Sequence, residues 1–283
     1  MLVHRVLTAV VGIPAALLLI YFGGWYFAAA VALIAVGGLR ELYRLFARRE
    51  RGTYPWLGYP LAVALAVLAA MTPQGTTAVS PWFEAALLLG AFAIAAWWML
   101  SSPAQPIGSR LFATISAHIY VPQFLSYLVR LRSISLPAIT PHGISSGLPA
   151  GACLVVLLMV VIWGMDTAAY AVGKTMGRHK LCPAISPGKT VEGAVAALVA
   201  ATVLSAAIGY WFGLPPIHGV VLGAAIGVVG QIGDLFESML KRRAGVKDSG
   251  SLLPGHGGVL DRFDSLLLAA PLAFFYLSFA MVG

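Results

Sequence analysis

The five aspartates of this chain, Asp166, Asp234, Asp248, Asp261 and Asp264, all fall in its second half, at or between the ends of long apolar runs. A carboxylate in such a setting carries a desolvation cost, so it usually has a partner, a cation or a pathway to serve. Five of them converging on one face predict a metal site. The richest stretch is residues 238–264, SMLKRRAGVKDSGSLLPGHGGVLDRFD. It opens as a helix on which Gln231, Asp234, Ser238 and Lys241 recur at helical spacing with Glu237 beside them, which makes one face polar. It then loosens through Gly245, Gly250, Pro254, Gly255, Gly257 and Gly258. Glycines let backbone amides come close to an anion, so this part has the composition of a phosphate-binding loop. It closes on Asp261 and Asp264, three residues apart and on one side of a helix that starts early enough. Two such carboxylates can hold a divalent ion.

Each feature also has an ordinary explanation. Asp264 with Ser265 can cap a helix, residues 241–243 can be flanking charge, and the glycines can be turn residues. Asp234 resists that explanation best, because a helix ending at the close of its apolar run would favour a cation there.

The elements that must position these residues are membrane spans. With 60% hydrophobic and 10% charged residues, the chain lies far outside soluble-domain usage. A span needs about 20 mostly apolar residues, and such runs cover 6–22, 25–39, 56–72, 81–100, 111–129, 151–165, 191–212, 219–233 and 265–282. The expected fold is all-α: a polytopic integral membrane protein of about nine transmembrane helices, forming a single transmembrane domain over 1–283. Within it, 1–150 is read as a lipid-facing scaffold and 151–283 as the part carrying the site. The first run reads as a retained span rather than a cleaved signal peptide, since the second run leads straight into a basic loop that fixes topology. Cys153 and Cys182 have neither metal-ligand spacing nor a disulfide framework, and the six scattered histidines form no zinc pattern.

Lysine and arginine near span ends are retained on the cytoplasmic side. With the N-terminus cytoplasmic, the inner segments hold Arg5; Arg40, Arg44, Arg48, Arg49 and Arg51; Lys174, Arg178, Lys180 and Lys189; and Lys241, Arg242, Arg243, Lys247 and Arg262. Arg110 sits at an inner border, and Arg130 and Arg132 fall outside. The net charge of +8 is thus mainly a topology signal, with attraction to anionic membrane lipids second. It is no evidence for nucleic-acid binding. These expectations together place the protein in an inner (plasma) membrane with its polar site facing the cytoplasm.

The stretch 238–264 resembles the signature of the phosphatidate cytidylyltransferase (CDP-diacylglycerol synthase) family, position by position. The matching residues are Ser238, Leu240, Lys241, Arg242, Lys247, Asp248, Gly250, His256, Gly257, Gly258, Val259, Asp261, Arg262, Phe263 and Asp264. Two further segments resemble the same family: Asp166, Thr167, Ala169 and Tyr170, and the run 186–193, SPGKTVEG, in which Gly188 replaces the first lysine of a pair and Lys189 keeps the second. The first half matches only in hydropathy and in an Arg-Glu-Leu-Tyr turn at residues 40–43. Gly188, Lys189 and Thr190 do not make a P-loop, which needs a glycine where Pro183 stands and a preceding parallel strand. Ser186 as N-cap and Pro187 at the first helical position are expected to start the seventh span instead.

The resemblance implies that a phosphate oxygen of phosphatidate attacks the α-phosphorus of CTP and expels pyrophosphate. The nucleophile is a phosphate monoester with a second pKa of about 6, so it is already anionic and needs no strong general base. The site must supply charge neutralisation and in-line alignment. On this basis Asp234 and Asp261 are expected to hold catalytic Mg²⁺, with Asp264, Asp248 and Glu237 as weaker candidates for a second ion or the outer shell. Lys241, Arg242, Lys247 and Arg262 are assigned to the triphosphate or the lipid phosphate, with Lys241 as the catalytic cation. Ser186, Lys189 and Thr190 are assigned to nucleotide or lipid phosphates, and His256 to pyrophosphate or to a structural role in the glycine turn. Asp166, Ser238, Gly257 and Gly258 complete the expected substrate-binding set.

Two other classes compete. An ion-coupled transporter also carries intramembrane acids, but near the midplane between repeated halves, and no internal repeat is visible here. A CTP-dependent lipid kinase would share a nucleotide site but move the γ-phosphoryl group to a polyprenol. The residues leave open the oligomeric state, a homodimer included, as well as the acyl-chain preference and the number of metals.

Overall fold

The structure is a computed structural model, and it describes residues 2–49, 52–71, 81–100, 109–134, 147–252 and 257–281. Its helices are α1 (Leu2–Phe22), α2 (Gly24–Ala47), α3 (Pro55–Met71), α4 (Pro81–Leu100), α5 (Ser109–His118), α6 (Phe124–Ser133), α7 (Ala150–Thr175), α8 (Val191–Trp211), α9 (Pro216–Arg243) and α10 (Leu260–Met281). A π turn at Ile119–Gln123 joins α5 to α6 in one continuous rod. It contains Pro122, which lacks an N–H and so cannot sit in a regular i to i−4 ladder.

Each predicted apolar run is therefore helical. Five of the described helices, α2, α7, α8, α9 and α10, are long and apolar enough to cross a membrane. Expected boundaries shift most at one end of the bundle. Helix α2 runs on through Arg40–Tyr43, which is helix rather than a turn, α7 continues past Asp166 to Thr175, and α10 begins at Leu260 instead of 265. These extensions carry polar residues, so an apolar window stops short of them while the backbone ladder does not.

The second departure is a hairpin: β1 (Lys180–Cys182) pairs antiparallel with β2 (Ser186–Thr190), with Lys180 opposite Thr190 and Cys182 opposite Ser186. Ser186 and Pro187 are thus strand residues and do not start α8. Thr190 is the N-cap, its hydroxyl accepting from the Gly193 amide at 3.1 Å.

On α8 small residues are buried and larger apolar ones exposed, as expected where lipid tails are the solvent. On α8 the buried ridge is Gly193, Ala197, Ala201, Ser205 and Gly209, while Val191, Val195, Val199 and Val203 are exposed. The facing ridge of α9 is Gly219, Gly223 and Gly227, and a Cβ on Gly223 would meet the Ala201 carbonyl oxygen at 2.6 Å. Small residues spaced four apart let the two backbones touch. They deliver Asp234 of α9 next to the hairpin that precedes α8.

The two arginines that break the charge rule have tertiary partners. Arg132 donates to the carbonyls of Ile20 and Tyr21 at 2.5 and 2.9 Å, closing the end of α1. Arg130 stacks over Phe274 and Tyr127, with its guanidinium carbon 4.3 and 5.0 Å from the ring centroids. At the opposite end Arg49 donates to Met99 O at 2.9 Å and Arg243 to Leu100 O, which satisfies the last carbonyls of α4.

Candidate active site

Asp166 and Asp234 each lie nine residues before the last residue of their helices, Thr175 and Arg243. At 1.5 Å per residue that places them about 14 Å in from those ends. They line a cavity of about 540 Å³ together with Gln231 of α9 and Ser186, Gly188, Lys189 and Thr190 of the hairpin. The remaining wall is small or apolar, built from Ala169 and Gly173 on α7 and Gly193, Ala194 and Ala197 on α8. Tyr170 and Lys174 stand at its α7 side, the ammonium 3.4 Å from the phenol oxygen. A cavity of this size suits a small ligand.

Across the cavity Lys189 Nζ meets Asp234 Oδ2 at 2.6 Å, and Ser238 Oγ lies 3.4 Å from Asp234 Oδ1. Asp264 interacts electrostatically with both Asp234 and Asp166, and Arg262 with Asp166. The close approach has a visible cause: Gly233 faces the backbone of Asp264, where a Cβ would come within 2.6 Å of its carbonyl oxygen. Asp166, Asp234 and Asp264 thus come together from three helices; the sequence counts Asp166 among the converging aspartates but assigns it to the substrate contacts rather than to the metal.

Asp261 points elsewhere. Its Oδ1 accepts from Lys241 Nζ at 2.6 Å, and its Oδ2 accepts from the Ser249 amide and hydroxyl, both at 3.0 Å, and from the Gly258 amide at 2.8 Å. Lys241 also pairs with Glu237 Oε2 at 2.5 Å, and Glu237 is fully buried. The expected pairing of Asp261 with Asp264 on one helix face is therefore divided between two clusters. One knits the loop after α9 to α10; the other sets Asp264 near Asp234 and Asp166, which line the cavity.

The glycines and basic residues of the signature are also redistributed. Gly257 has φ +81°, a left-handed conformation that favours glycine, and Gly258 lacks room for a side chain because Ser249 Oγ and the Glu41 carboxylate fill that space. With its amide given to Asp261, Gly258 serves the loop rather than offering a free donor to a phosphate. Arg242 donates to the carbonyls of Ile185 and Val246 at 3.1 and 2.9 Å, tying the hairpin turn to the end of α9. Lys247 and Asp248 are exposed. Asp248 borders a separate cleft with Arg44, Arg48, Ser249 and Ser251. His256 lies outside the described residues.

Glu41 was missed as a site residue. It sits on α2, in the half read as scaffold, and is fully buried. Its Oε1 accepts from the Val259 amide at 3.0 Å, and its Oε2 from the Leu260 amide at 2.9 Å and Ser249 Oγ at 3.0 Å. The only available signal was an acid inside an apolar helix, in the Arg-Glu-Leu-Tyr segment.

Among the described residues, no three His, Cys, Asp or Glu side chains are already arranged around one point as metal ligands. In donor chemistry and charge the Asp166, Asp234 and Asp264 carboxylates fit a hard divalent cation, being oxygen donors in mutual repulsion. Asp261 fits less well, because both of its oxygens are committed to protein donors.

A family model described as the Cytidylyltransferase family matches residues 3–280. This chain belongs to that family. It is 37% identical to a phosphatidate cytidylyltransferase of Synechocystis sp., with 96% of this chain and 95% of the relative covered. It is 33% identical to a phosphatidate cytidylyltransferase of Haemophilus influenzae over 98% and 99% of the two chains. A Bacillus subtilis protein of the same description is 40% identical over 59% of this chain and 58% of its own. Family membership thus spans both halves of this cytidylyltransferase, the α2 segment included.

Proposed function

We infer that this membrane cytidylyltransferase converts CTP and phosphatidate to CDP-diacylglycerol and pyrophosphate. The observation that carries the reading is the cavity in which Asp166, Asp234 and Lys189 face a wall of glycine and alanine, in a chain aligned nearly end to end with relatives of that description. A lipid phosphate needs polar partners at its head and close, featureless packing beside its glycerol. A cavity with both kinds of wall supports that use.

In the reaction a phosphatidate oxygen forms a bond to the α-phosphorus of CTP as the bond from that phosphorus to the bridging oxygen of the β-phosphate breaks. Pyrophosphate carries away the electron pair. Lys189, held at Asp234, is positioned to give a charge-assisted hydrogen bond to a phosphate oxygen when a ligand displaces the ion pair. Gln231 donates to the carbonyls of Gly227 and Ala194 at 2.7 and 3.2 Å and so fixes α8 against α9 around the reacting groups. Asp166, Asp234 and Asp264 would hold Mg²⁺, which when bound neutralises phosphate charge and organises the triphosphate. Lys241, buried between Glu237 and Asp261, keeps α9 and α10 in register beside that site.

The site faces the cytoplasm in this reading, where CTP is available, and the bundle spans the membrane nine times with its N-terminus inside. Charge placement supports this orientation, since Lys174, Arg178, Lys180, Lys189 and the basic end of α9 share the end of the bundle that holds the cavity.

Purified protein given phosphatidate and CTP labelled at the α-phosphate should form labelled CDP-diacylglycerol. Transfer of a γ-label to a lipid alcohol, with no α-transfer, would replace this reading with a lipid kinase. Cys182, in the hairpin, should resist an impermeant thiol reagent in intact cells, whereas a cysteine at the exposed Gly147 should react. The opposite pattern would put the cavity on the side without CTP.

A further inference from the structure

Glu41 is a buried carboxylate whose described hydrogen bonds all come from the segment that joins α9 to α10 and from the first turn of α10. Residues more than two hundred positions away supply every one: the Ser249 hydroxyl and the amides of Val259 and Leu260. Gly250 and Gly258 pass so close to it that a Cβ on either would strike the carboxylate. The three consecutive amides at the start of α10 are divided between two acids, Gly258 to Asp261 and Val259 and Leu260 to Glu41. Ser249 Oγ lies 3.0 Å from both acids, and its single hydroxyl proton is shared between them. The other oxygen of Asp261 holds Lys241. A continuous chain therefore runs from Glu41 through Ser249 and Asp261 to Lys241 and Glu237.

Capping α10 does not require such an arrangement. A local serine or aspartate satisfies free amides at a helix start. A carboxylate drawn from another helix loses its hydration, and a buried ionic group held by hydrogen bonds stabilises less than an apolar plug while fixing geometry more strictly. What this one fixes is the loop that bears Lys247 and Asp248, and the angle at which α10 presents Asp264 toward Asp234 and Asp166.

We propose that Glu41 is a positioning residue for cytidylyl transfer: it sets the first turn of α10 and, through Ser249 and Asp261, the placement of Lys241. The proposal rests on the function inferred above. Glu41→Gln keeps the shape but presents an amide NH₂ where backbone N–H groups already point, so one end of the latch opens.

The test uses the purified full-length chain in lipid nanodiscs. Wild type, Glu41→Gln, Ser249→Ala and the double variant are assayed with α-labelled CTP and phosphatidate, and folded protein is quantified by thermal unfolding. Glu41→Gln should lower kcat per folded molecule by about 10- to 100-fold, the scale for losing a group that orients site residues. The KM for CTP should change by less than about twofold, because the substrate contacts themselves remain. Ser249→Ala should lower kcat less, and the double variant should be no worse than Glu41→Gln alone, since both cut one chain. Trypsin should cut faster after Lys247 in both single variants.

A Glu41→Gln enzyme with wild-type kcat per folded molecule, or additive losses in the double variant, would overturn the proposal. Should Glu41→Gln fail to fold, Ser249→Ala decides alone: a lower kcat at constant KM supports the latch, and an unchanged kcat removes it. If wild type makes no CDP-diacylglycerol, the function itself is wrong, while the trypsin comparison still reads the latch.

Discussion

Two groups of carboxylates lie at the same end of this bundle and differ in what neutralises them. Asp261 and Glu41 are saturated: every oxygen accepts from a lysine, an amide or a hydroxyl of the protein. Asp166, Asp234 and Asp264 have Lys189 at 2.6 Å from Asp234, a longer contact to Ser238, the Ser265 amide on Asp264, the nearby charges of Arg262 and Lys241, and one another's negative charge. The first group has finished its chemistry within the fold. The second retains capacity for a cation or for phosphates that bring one, and its Asp166 and Asp234 border the cavity. Satisfied acids organise a site; under-neutralised acids bind.

The strongest way to break this contrast is to neutralise one acid from each group. Asp234→Asn should lower turnover by about 10²- to 10³-fold, the scale for removing one preorganised charge from an active site. It should also raise the Mg²⁺ concentration needed for half-maximal rate. Asp261→Asn should lower turnover through the loop while leaving that Mg²⁺ requirement unchanged, because both of its oxygens are committed to protein donors. Equal shifts in metal dependence would place both acids in one metal site and erase the distinction.

The Lys241 cluster beside Asp261 makes a second prediction, in stability. Lys241→Ala leaves the fully buried Glu237 without its cation, which should cost about 3–5 kcal/mol. Thermal unfolding in detergent would read the loss. Replacing the pair together, Lys241→Met with Glu237→Gln, should recover much of the stability without recovering activity. Recovery of both would show that Lys241 serves only the fold.

Smaller effects sharpen the same contrast. Lys189→Ala should raise the KM for CTP or phosphatidate about tenfold, the equivalent of one charge-assisted hydrogen bond of about 1.5 kcal/mol. Initial rates across each substrate would identify which phosphate it meets. Arg48→Ala, at an exposed position bordering the separate cleft, should change activity by less than about twofold, as surface substitutions do. A large loss there would make that cleft part of the reaction and extend the binding group beyond the cavity.

The apolar runs and the charges between them determine the helical membrane class, and the Lys-Arg, His-Gly-Gly and Asp-Arg-Phe-Asp motifs point to the reaction through their resemblance to a family. They do so because hydropathy and short-range periodicity are local properties of the chain. Which acid faces which partner is not local. Asp261 and Asp264 share a helix and a motif, yet one turns into a hydrogen-bonded knot and the other toward Asp234, because Gly233 lets α9 meet α10 at Asp264. Thr190 rather than Ser186 caps α8 because residues 186–190 pair with 180–182 as a hairpin. Glu41 is the extreme case. Its sequence neighbourhood predicts only a charged residue near a span end, and its partners are found only because α2 and the start of α10, more than two hundred residues apart, pack closely enough for one carboxylate to accept from the Val259 and Leu260 amides.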